Sequence, residues 1–459
     1  MRTYGSIRCR KATGVWSTPV DPTEGVVTSW AWRTPSGRDL FSTSLRYKAD
    51  VQRSCLSRGR RRPSSVETPI PQWSEHPSLW SYILRDMNFL FLAGRDPRHP
   101  LAGGGDIQAW EWARYAALTG HRVTYVCMAD EALPDMEEQE GIIVMRMGKG
   151  LELPLNARRF YRRYWQRFDI LYEDVVGGGR FPYLSPLYAV CPVIAAWHQL
   201  TLDLLDERIP WAGRLLIGMG ERLLAHIYAR TFIRVPSATI GAQLTRQLGF
   251  PVERIRVIPA SIPGGDIWSS APTARDQIVL CIANFRRYKA VHHVVKAFPS
   301  VLRRVPGARL VLMGRLCDHR YFKYIHRLIM TLGLHGQVAL HPNATDDEKY
   351  SLLRESAIAV VPSHREGFGI AVLEANAFGL PVVASTGVPE DAVGHCYNGL
   401  RYPYGCIGCL ADAIVDLLSD EGLRLSLAQN ALGFARMFTW SKVGEQFMSF
   451  VREVVHGSI

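Results

Sequence analysis

Residues 360–377 read VVPSHREGFGIAVLEANA, and this stretch decides the fold. Its first residues are typical of the end of a buried strand, the segment around Gly367 and Gly369 of a tight loop, and the remainder of a helix. The two glycines let the backbone approach a ligand closely, and the free amides at a helix N-terminus attract phosphate. Glu366 in the loop and Glu374 in the helix are placed to accept hydrogen bonds from the hydroxyls of a sugar or a ribose. On spacing alone, a solvated pair of glutamates is an equally good interpretation.

Short apolar runs alternate with helix-sized amphipathic segments on both sides of this stretch. Such alternation is typical of parallel sheets with helices on both faces. We therefore predict an α/β fold with two doubly wound, Rossmann-like domains that face a central cleft, where ligands bind beyond the carboxyl ends of the strands. The predicted strands are Phe89–Ala93, Arg122–Met128, Ile142–Met145, Ile170–Tyr172, Val193–Ala196, Val235–Ser237, Ile255–Ile258, Gln277–Ile282, Ala308–Gly314, Val338–Leu340, Ile358–Pro362 and Pro381–Ala384.

The domain boundaries follow from breaks in this alternation. Residues 87–262 form the first predicted domain, and a linker rich in proline and glycine follows at residues 263–275. Residues 276–438 form the second predicted domain. Residues 439–459 are predicted to form a last helix, and one option is that it crosses back to the first domain.

The first 86 residues lack this pattern and carry much of the excess charge. The chain of 459 residues has a formal net charge of +12, and residues 1–86 hold 14 basic and 7 acidic residues. Because the remainder is only mildly basic, the total charge does not imply nucleic-acid binding. Three interpretations stay open for residues 1–86: a disordered basic tail, a targeting segment, or upstream sequence outside the functional protein, with Met87 as its natural beginning. We predict a disordered extension.

Two further features of the sequence bear on location. The nine cysteines are odd in number and scattered through apolar segments, which favours a reducing compartment over a disulfide framework. Cys406 and Cys409 have C-x-x-C spacing without a second such pair, so two small loop residues are a better interpretation than a metal site.

Residues 156–169 interleave arginines with aromatic residues, as in helices that lie on an anionic membrane surface. A helix packed through its aromatics, with arginines in water, is the favoured alternative.

The chain resembles the retaining glycosyltransferases of family 4, which have the two-domain GT-B fold. Residues 366–374 match the E-x7-E signature of that family, and the likeness extends over roughly residues 87–455. The first 86 residues lie outside it. Further elements of the family are matched by residues 100–106, 120–123, 181–198, 279–298, 308–314, 379–385 and 398–400.

The resemblance implies roles for individual residues. Glu366 would contact hydroxyls of the donor sugar and Glu374 the nucleotide ribose, while Lys289 would stabilise negative charge on the leaving diphosphate. The implied catalytic residues are Glu366, His198 and Lys289. The implied donor-binding residues are Gly104, Gly105, Arg286, Arg287, Lys289, Gly367, Phe368, Gly369 and Glu374.

Several positions depart from the family pattern or have a second explanation. Asn284 stands where the family usually has an arginine, and Ala290 stands where it has a glycine. Arg286 or Arg287 is expected to replace the arginine. Asp106 takes the place of a common glutamate, and a helix N-cap would explain it equally well.

By resemblance, the function is transfer of a sugar from a nucleotide-sugar donor to an acceptor hydroxyl of a glycan, a lipid or a small metabolite, with retention of the anomeric configuration. We expect no cofactor, no metal and no nucleic-acid partner. A cytoplasmic location is expected, with peripheral membrane contact through residues 156–169 as an option. A catalytically weak protein that binds a nucleotide sugar is the main alternative. A Rossmann oxidoreductase lacks its dinucleotide fingerprint here, and a phosphorylase of the GT-B fold is remote.

Overall fold

The computed structural model describes residues 86–176, 181–204, 209–262 and 276–457. Two lobes, each built on one sheet, make up this part of the chain, and both belong to the unit Asp86–Ile459. The strands of the first lobe are β1 (Asn88–Leu92), β2 (Arg122–Cys127), β3 (Met136–Gln139), β4 (Ile142–Arg146), β5 (Ile170–Val176), β6 (Val193–Trp197), β7 (Phe232–Val235) and β8 (Ile255–Val257). Its helices are α1 (Gly104–Leu118), α2 (Glu152–Tyr164), α3 (Trp211–Tyr228) and α4 (Ala238–Gln243).

The second lobe continues the alternation of strands and helices. Its strands are β9 (Ile278–Ile282), β10 (Arg309–Gly314), β11 (Val338–Pro342), β12 (Ile358–Val361), β13 (Val382–Ser385) and β14 (Gly399–Tyr402). Its helices are α5 (Val291–Leu302), α6 (His319–Thr331), α7 (Asp346–Glu355), α8 (Ile370–Ala377), α9 (Ile407–Ser419) and α10 (Glu421–Ala435), followed by α11 (Trp440–Val455).

The two sheets are ordered as expected for doubly wound folds. In the first lobe the order is β3-β4-β2-β1-β5-β6-β7-β8, and only the edge pair of β3 and β4 is antiparallel among these described strands. In the second lobe the order is β11-β10-β9-β12-β13-β14. Because the central strands are buried on both faces, they read as continuous apolar runs. This arrangement confirms the predicted fold class.

The last helix packs on the first lobe rather than on the second. Phe447 of α11 and Trp112 of α1 lie in one core, with ring centroids 4.8 Å apart. The chain segments that lead out of and back into this lobe run side by side. Trp440 Nε1 donates to the carbonyl of Ile262 at 2.9 Å, and Ser261 Oγ donates to the carbonyl of Phe438 at 2.6 Å.

Some sequence expectations need correction. The strand expected at Val235–Ser237 lies earlier, at Phe232–Val235, because Ser237 has already left the sheet and caps α4 by accepting from the amide of Ile240. The expected linker at residues 263–275 and the extension up to residue 85 lie outside the described residues.

The cysteine interpretation was also wrong in one respect. Cys406 and Cys409 are joined in a disulfide at the first turn of α9, so they are not merely two small loop residues.

None of the described helices combines the length and the apolar character that crossing a bilayer requires.

Candidate functional site

The loop between β12 and α8 fixes the carboxylate of Glu366. Glu366 Oε1 accepts from Ser363 Oγ at 2.6 Å and from Lys289 Nζ at 2.5 Å, and the backbone amide of Glu366 donates to the carbonyl of Gly387 at 3.0 Å. The side chain keeps 14% of its surface exposed. Gly369, with φ of 111°, then turns the chain into α8 through a conformation that favours glycine. The carboxylate is therefore held still but stays accessible to a ligand.

Lys289 reaches this carboxylate from a short 3-10 turn, Arg287–Lys289, that follows β9. Burial opposes the charge on Lys289, but the neighbouring Glu366 carboxylate outweighs it, so the pKa of the lysine lies above its usual value. The ammonium is thus a fixed positive charge next to Glu366. Ala290 follows with φ of 51°, a left-handed conformation that costs an L-residue about 1 kcal/mol or more.

The two neighbouring arginines do not share one position. Arg286 lies beside the thiol of Cys317 and near Lys289. Its positive charge opposes the rise in the pKa of Lys289 without reversing it. Arg287 lies instead towards α5 and α6. Burial lowers the pKa of His292 and the charge of Arg287 adds to this effect, whereas burial raises the pKa of Tyr321 and Arg287 opposes that rise. Arg286 is therefore the better placed of the two to extend the positive charge of Lys289.

Glu374 is paired with a lysine in the same way. Its Oε1 lies 3.2 Å from Nζ of Lys349 on α7, and this ammonium also lies 2.8 Å from Asp346 Oδ1. Burial opposes the charge on Lys349, but Glu374 and Asp346 outweigh it and raise the pKa of the lysine. The Glu374 side chain is 14% exposed. Each glutamate of the 366–374 pattern thus has its own lysine.

The side chain of Phe368 belongs to the core. It is 4% exposed, and its ring lies 5.4 Å from that of Phe438. Only the backbone of Phe368 is therefore available for the donor-binding role that the sequence implies.

The first lobe contributes the loop that opens α1. Gly104 and Gly105 are the first two residues of that helix. A Cβ on Gly104 would lie 3.2 Å from Ile370 of the second lobe, and one on Gly105 would lie 3.6 Å from the His198 ring. Asp106 holds this loop by accepting from the amides of Gly103 at 2.8 Å and of Arg95 at 3.1 Å. Asp106 is thus the third residue of α1, and its carboxylate holds the N-cap residue Gly103 in place.

His198 follows β6 and is oriented by a buried acid that sequence reasoning missed. Its Nε2 lies 2.9 Å from Oδ1 of Asp174 on β5. Because the carboxylate accepts, Nε2 carries the proton, and the ring is fixed in one orientation. The His198 side chain is 17% exposed and that of Asp174 is 3% exposed.

The two lobes touch at this same place. Ser237 Oγ of the first lobe donates to the carbonyl of Gly367 at 2.7 Å. A Cβ on Gly367 would lie only 2.3 Å from the carbonyl oxygen of His198. Arg315 donates to the carbonyl of Ala102. The cleft beside these contacts is lined from both lobes by Gln199, Thr239, Ile240, Gln243, Arg365, Glu366, Thr386, Gly387, Val388, Pro389, Glu390 and Arg401.

The structure therefore brings some of the expected residues together in pairs and leaves Arg287 and the side chain of Phe368 apart from them. Glu366 meets Lys289 in the second lobe, and Gly105 meets His198 in the first. Asp174 and Lys349 were missed because their partners lie 24 and 25 residues away in sequence, with no local motif to indicate them. Within the described segments, no group of three His, Cys, Asp or Glu side chains is arranged to hold a metal ion.

Two family models match adjoining parts of the chain. "Glycosyltransferase Family 4" matches residues 102–263, and "Glycosyl transferases group 1" matches residues 266–433. A D-inositol 3-phosphate glycosyltransferase of Actinosynnema mirum is 31% identical over 306 residues, which cover 61% of this chain and 72% of that protein. The chain spans only 25% and 62% of the length of two other curated relatives.

Solved structures with a similar fold include enzymes and sugar-nucleotide complexes. Sucrose-phosphate synthase from Thermosynechococcus elongatus matches with a TM-score of 0.69 and 19% identity, covering 81% of this chain and all (100%) of that one. Anabaena HepE in complex with UDP-glucose matches with a TM-score of 0.64 and 19% identity, covering 80% of this chain and 100% of that one. At such identities the likeness establishes the two-lobed fold alone.

Proposed function

This chain belongs to the family 4 glycosyltransferases of the GT-B fold, and on that premise we propose that it transfers a sugar from a nucleotide-sugar donor to an acceptor hydroxyl with retention of configuration. The ion pair of Lys289 and Glu366 carries the proposal. It joins a cation suited to a diphosphate and a carboxylate suited to sugar hydroxyls at 2.5 Å, and Gly367, the residue after Glu366, lies against the carbonyl of His198 in the first lobe.

The donor is proposed to be a UDP-sugar, since a similarly folded protein is known in complex with UDP-glucose. Lys289, with Arg286 beside it, would bind the diphosphate together with backbone amides at the start of α8. Glu366 would accept from hydroxyls of the sugar, and Glu374 from those of the ribose. Both carboxylates are already paired with lysines, so the donor meets polar groups that are in place before it arrives.

In the proposed reaction the bond between the anomeric carbon and the diphosphate oxygen breaks, and a bond from that carbon to the acceptor oxygen forms on the same face. The acceptor proton passes to the departing phosphate, so no side chain is assigned as general base. Lys289 stabilises the negative charge that grows on the leaving group. His198, held by Asp174, lines the sugar side from the first lobe, and approach of the lobes keeps water out.

A second candidate, a protein that binds the donor with little turnover, is favoured by the two departures in the phosphate loop. Asn284 is occupied with the backbone, because its Oδ1 accepts from the amide of Arg315 at 3.1 Å. Ala290 adopts φ of 51°, where the family has glycine.

Two measurements, made one after the other, test the proposal. Thermal shift with UDP-, GDP- and ADP-sugars identifies the donor, because a ligand at 100 times its dissociation constant adds about 2.7 kcal/mol of apparent stability. Release of nucleotide from that donor is then compared among wild type, Glu366→Gln, Lys289→Met and, as control, Lys323→Met on the exposed side of α6.

We expect both site variants to lose about a hundredfold or more in turnover, and the control to lose none. Stabilisation by a donor without turnover in the wild type would favour the binding protein. Equal turnover in wild type and Glu366→Gln would contradict the assignment of this residue.

A further inference from the structure

Helix α3 carries large apolar side chains on its outer face. Trp211, Leu215, Met219 and Leu223 follow one another at one-turn intervals and are 78%, 55%, 57% and 62% exposed, and Leu216 beside them is 68% exposed. The helix is anchored by its other side, where Ala225 and Tyr228 pack in the core. Nothing in the described part of the chain covers this stripe. Contiguous apolar surface of this kind marks a docking surface.

The basic helix α2 lies on the same face of the first sheet. Val193 of β6 packs in the core beneath α2, and Ala195 of the same strand packs in the core beneath α3. Residues two apart in a strand point to the same face. The segment between the helices joins them, because the amide of Leu184 donates to the hydroxyl of Tyr228 at 3.1 Å and Tyr188 lies beneath the guanidinium of Arg158.

The charge of this α2–α3 face, defined by the outer sides of the two helices, is strongly positive. Helix α2 exposes Arg158, Arg159, Arg162 and Arg163, and α3 exposes Arg214 and Arg222. The acids of the two helices are Glu152, which is exposed, and Glu221, which is 3% exposed and accepts from the amide of Thr201. Tyr161 of α2 is buried, and Leu155, at 53% exposure, is the large apolar side chain that α2 exposes, so α2 supplies mainly cations and α3 most of the apolar surface.

We propose that the α2–α3 face docks the protein on an anionic lipid bilayer, with the apolar stripe of α3 in the headgroup boundary and the arginines of α2 against lipid phosphates. An amphipathic helix with Trp and Leu on one side and arginines beside them is suited to this location. The negative charge of a cytoplasmic leaflet attracts such a basic surface.

Charge argues against the other possible occupants. Residues 1–86 hold 14 basic and 7 acidic residues, so this segment does not complement a basic face. A second copy bound about a two-fold axis would place the same face against itself, arginines against arginines. A bilayer that contains acidic lipids satisfies both the apolar stripe and the surrounding charge.

The test is co-sedimentation of the full chain with vesicles, without any sugar nucleotide. Vesicles of phosphatidylcholine alone are compared with vesicles of equal parts phosphatidylcholine and phosphatidylglycerol. We expect binding to the anionic vesicles only, weakened by salt because the attraction of surface charges is screened. Two variants address the two halves of the face: Leu216→Gln with Met219→Gln on α3, and Arg159→Glu with Arg163→Glu on α2. Each is expected to lower the partition coefficient at least tenfold.

Matched controls come from elsewhere on the surface. Leu118→Gln alters a side chain that is 68% exposed, as Leu216 is, on helix α1 at the opposite face of the sheet. Arg320→Glu with Arg327→Glu makes the same charge change on α6 of the second lobe. Both controls are expected to bind as the wild type does. Quenching of tryptophan fluorescence by brominated lipid, reduced in Trp211→Phe, gives a second readout of insertion.

Absence of binding to the anionic vesicles would overturn the proposal, as would equal losses in the α3 variant and in Leu118→Gln. A change from dimer to monomer in the α3 variant, without vesicle binding by the wild type, would make the face an interface between copies instead. Because no donor is present, failure here leaves the proposed transferase reaction untouched, and loss of turnover in Glu366→Gln leaves docking untouched.

Discussion

The contact between the lobes at Gly367 gives a prediction whose size follows from the structure. In Gly367→Ala the new Cβ would lie 2.3 Å from the carbonyl oxygen of His198. Since carbon and oxygen come no closer than about 3.3 Å, the lobes must separate here by about 1 Å. A displacement of about 1 Å at a reacting centre can cost about a hundredfold in rate, which corresponds to about 2.7 kcal/mol of transition-state stabilisation. We therefore expect kcat/KM for the donor to fall about a hundredfold.

The assay is nucleotide release from the donor, measured beside thermal unfolding. Because the obstacle lies between lobes and not within a core, we expect the midpoint of unfolding to stay near that of the wild type. Gly433→Ala on α10 is the control, since nothing lies within 4 Å of its added Cβ. It should stabilise the helix by about 0.5–1 kcal/mol and leave turnover unchanged. Wild-type kcat/KM in Gly367→Ala would refute the view that the site depends on this contact.

Three further predictions concern other groups of the two lobes. Asp174→Asn removes the charge that holds His198, and we expect kcat to fall about tenfold or more with little change in donor KM, in steady-state kinetics. Burial lowers the pKa of His292 to about 3, so this residue adds stability above its unfolded pKa of about 6.5 that is lost as pH falls towards 3. Urea unfolding should therefore show wild type losing up to roughly 2 kcal/mol more than His292→Gln between about pH 7 and pH 5, and parallel losses would contradict this. Replacing Cys406 and Cys409 by serine should lower the free energy of unfolding by about 2 kcal/mol or less, because the loop that their disulfide closes is very short; a larger loss would assign the disulfide another role.

The sequence predicted the fold class because parallel strands buried on both faces have a distinctive pattern. The strand expected at Phe89–Ala93 lies at Asn88–Leu92, and that at Ile358–Pro362 lies at Ile358–Val361. Strand β3, Met136–Gln139, reads MEEQ and lies at the antiparallel edge, so it has no apolar run to indicate it. Periodicity thus finds central strands and misses polar edges.

Exposure was harder to predict than secondary structure. Arginines and aromatics alternate in residues 156–169, which makes a membrane helix one option for this stretch, but Tyr161 is buried at 1% exposure. Most of the exposed apolar surface lies on α3. The sequence of α3 is also compatible with a helix packed in a core, and only the structure shows which side faces outward. A hydrophobic pattern reports that a face is apolar and leaves open whether another element covers it.

The site residues also divide into those that the sequence predicts and those that only the structure reveals. Glu366, Glu374 and Lys289 were predicted from local motifs, whereas the partners that fix them were not. Lys349 reaches Glu374 from a different helix, and its sequence gives no sign of that contact. Sequence motifs identify the groups that a ligand would meet. Which charged side chains pair with those groups depends on the fold.

The lobes are connected in two places, and one of these contacts lies at the proposed catalytic site. Opening of the cleft between the lobes would therefore affect the proposed transfer reaction. Where the chain crosses, Trp440 and Ile262 are joined by a buried hydrogen bond, so this end is suited to act as the pivot. The lobes also meet through Ser237 and Gly367, and Gly367 follows Glu366 in the chain. A rotation about the crossing would therefore alter the Ser237–Gly367 contact at the site. Entry of a donor and assembly of the proposed catalytic groups would then be one motion, and a substitution at the crossing should change kcat and KM together.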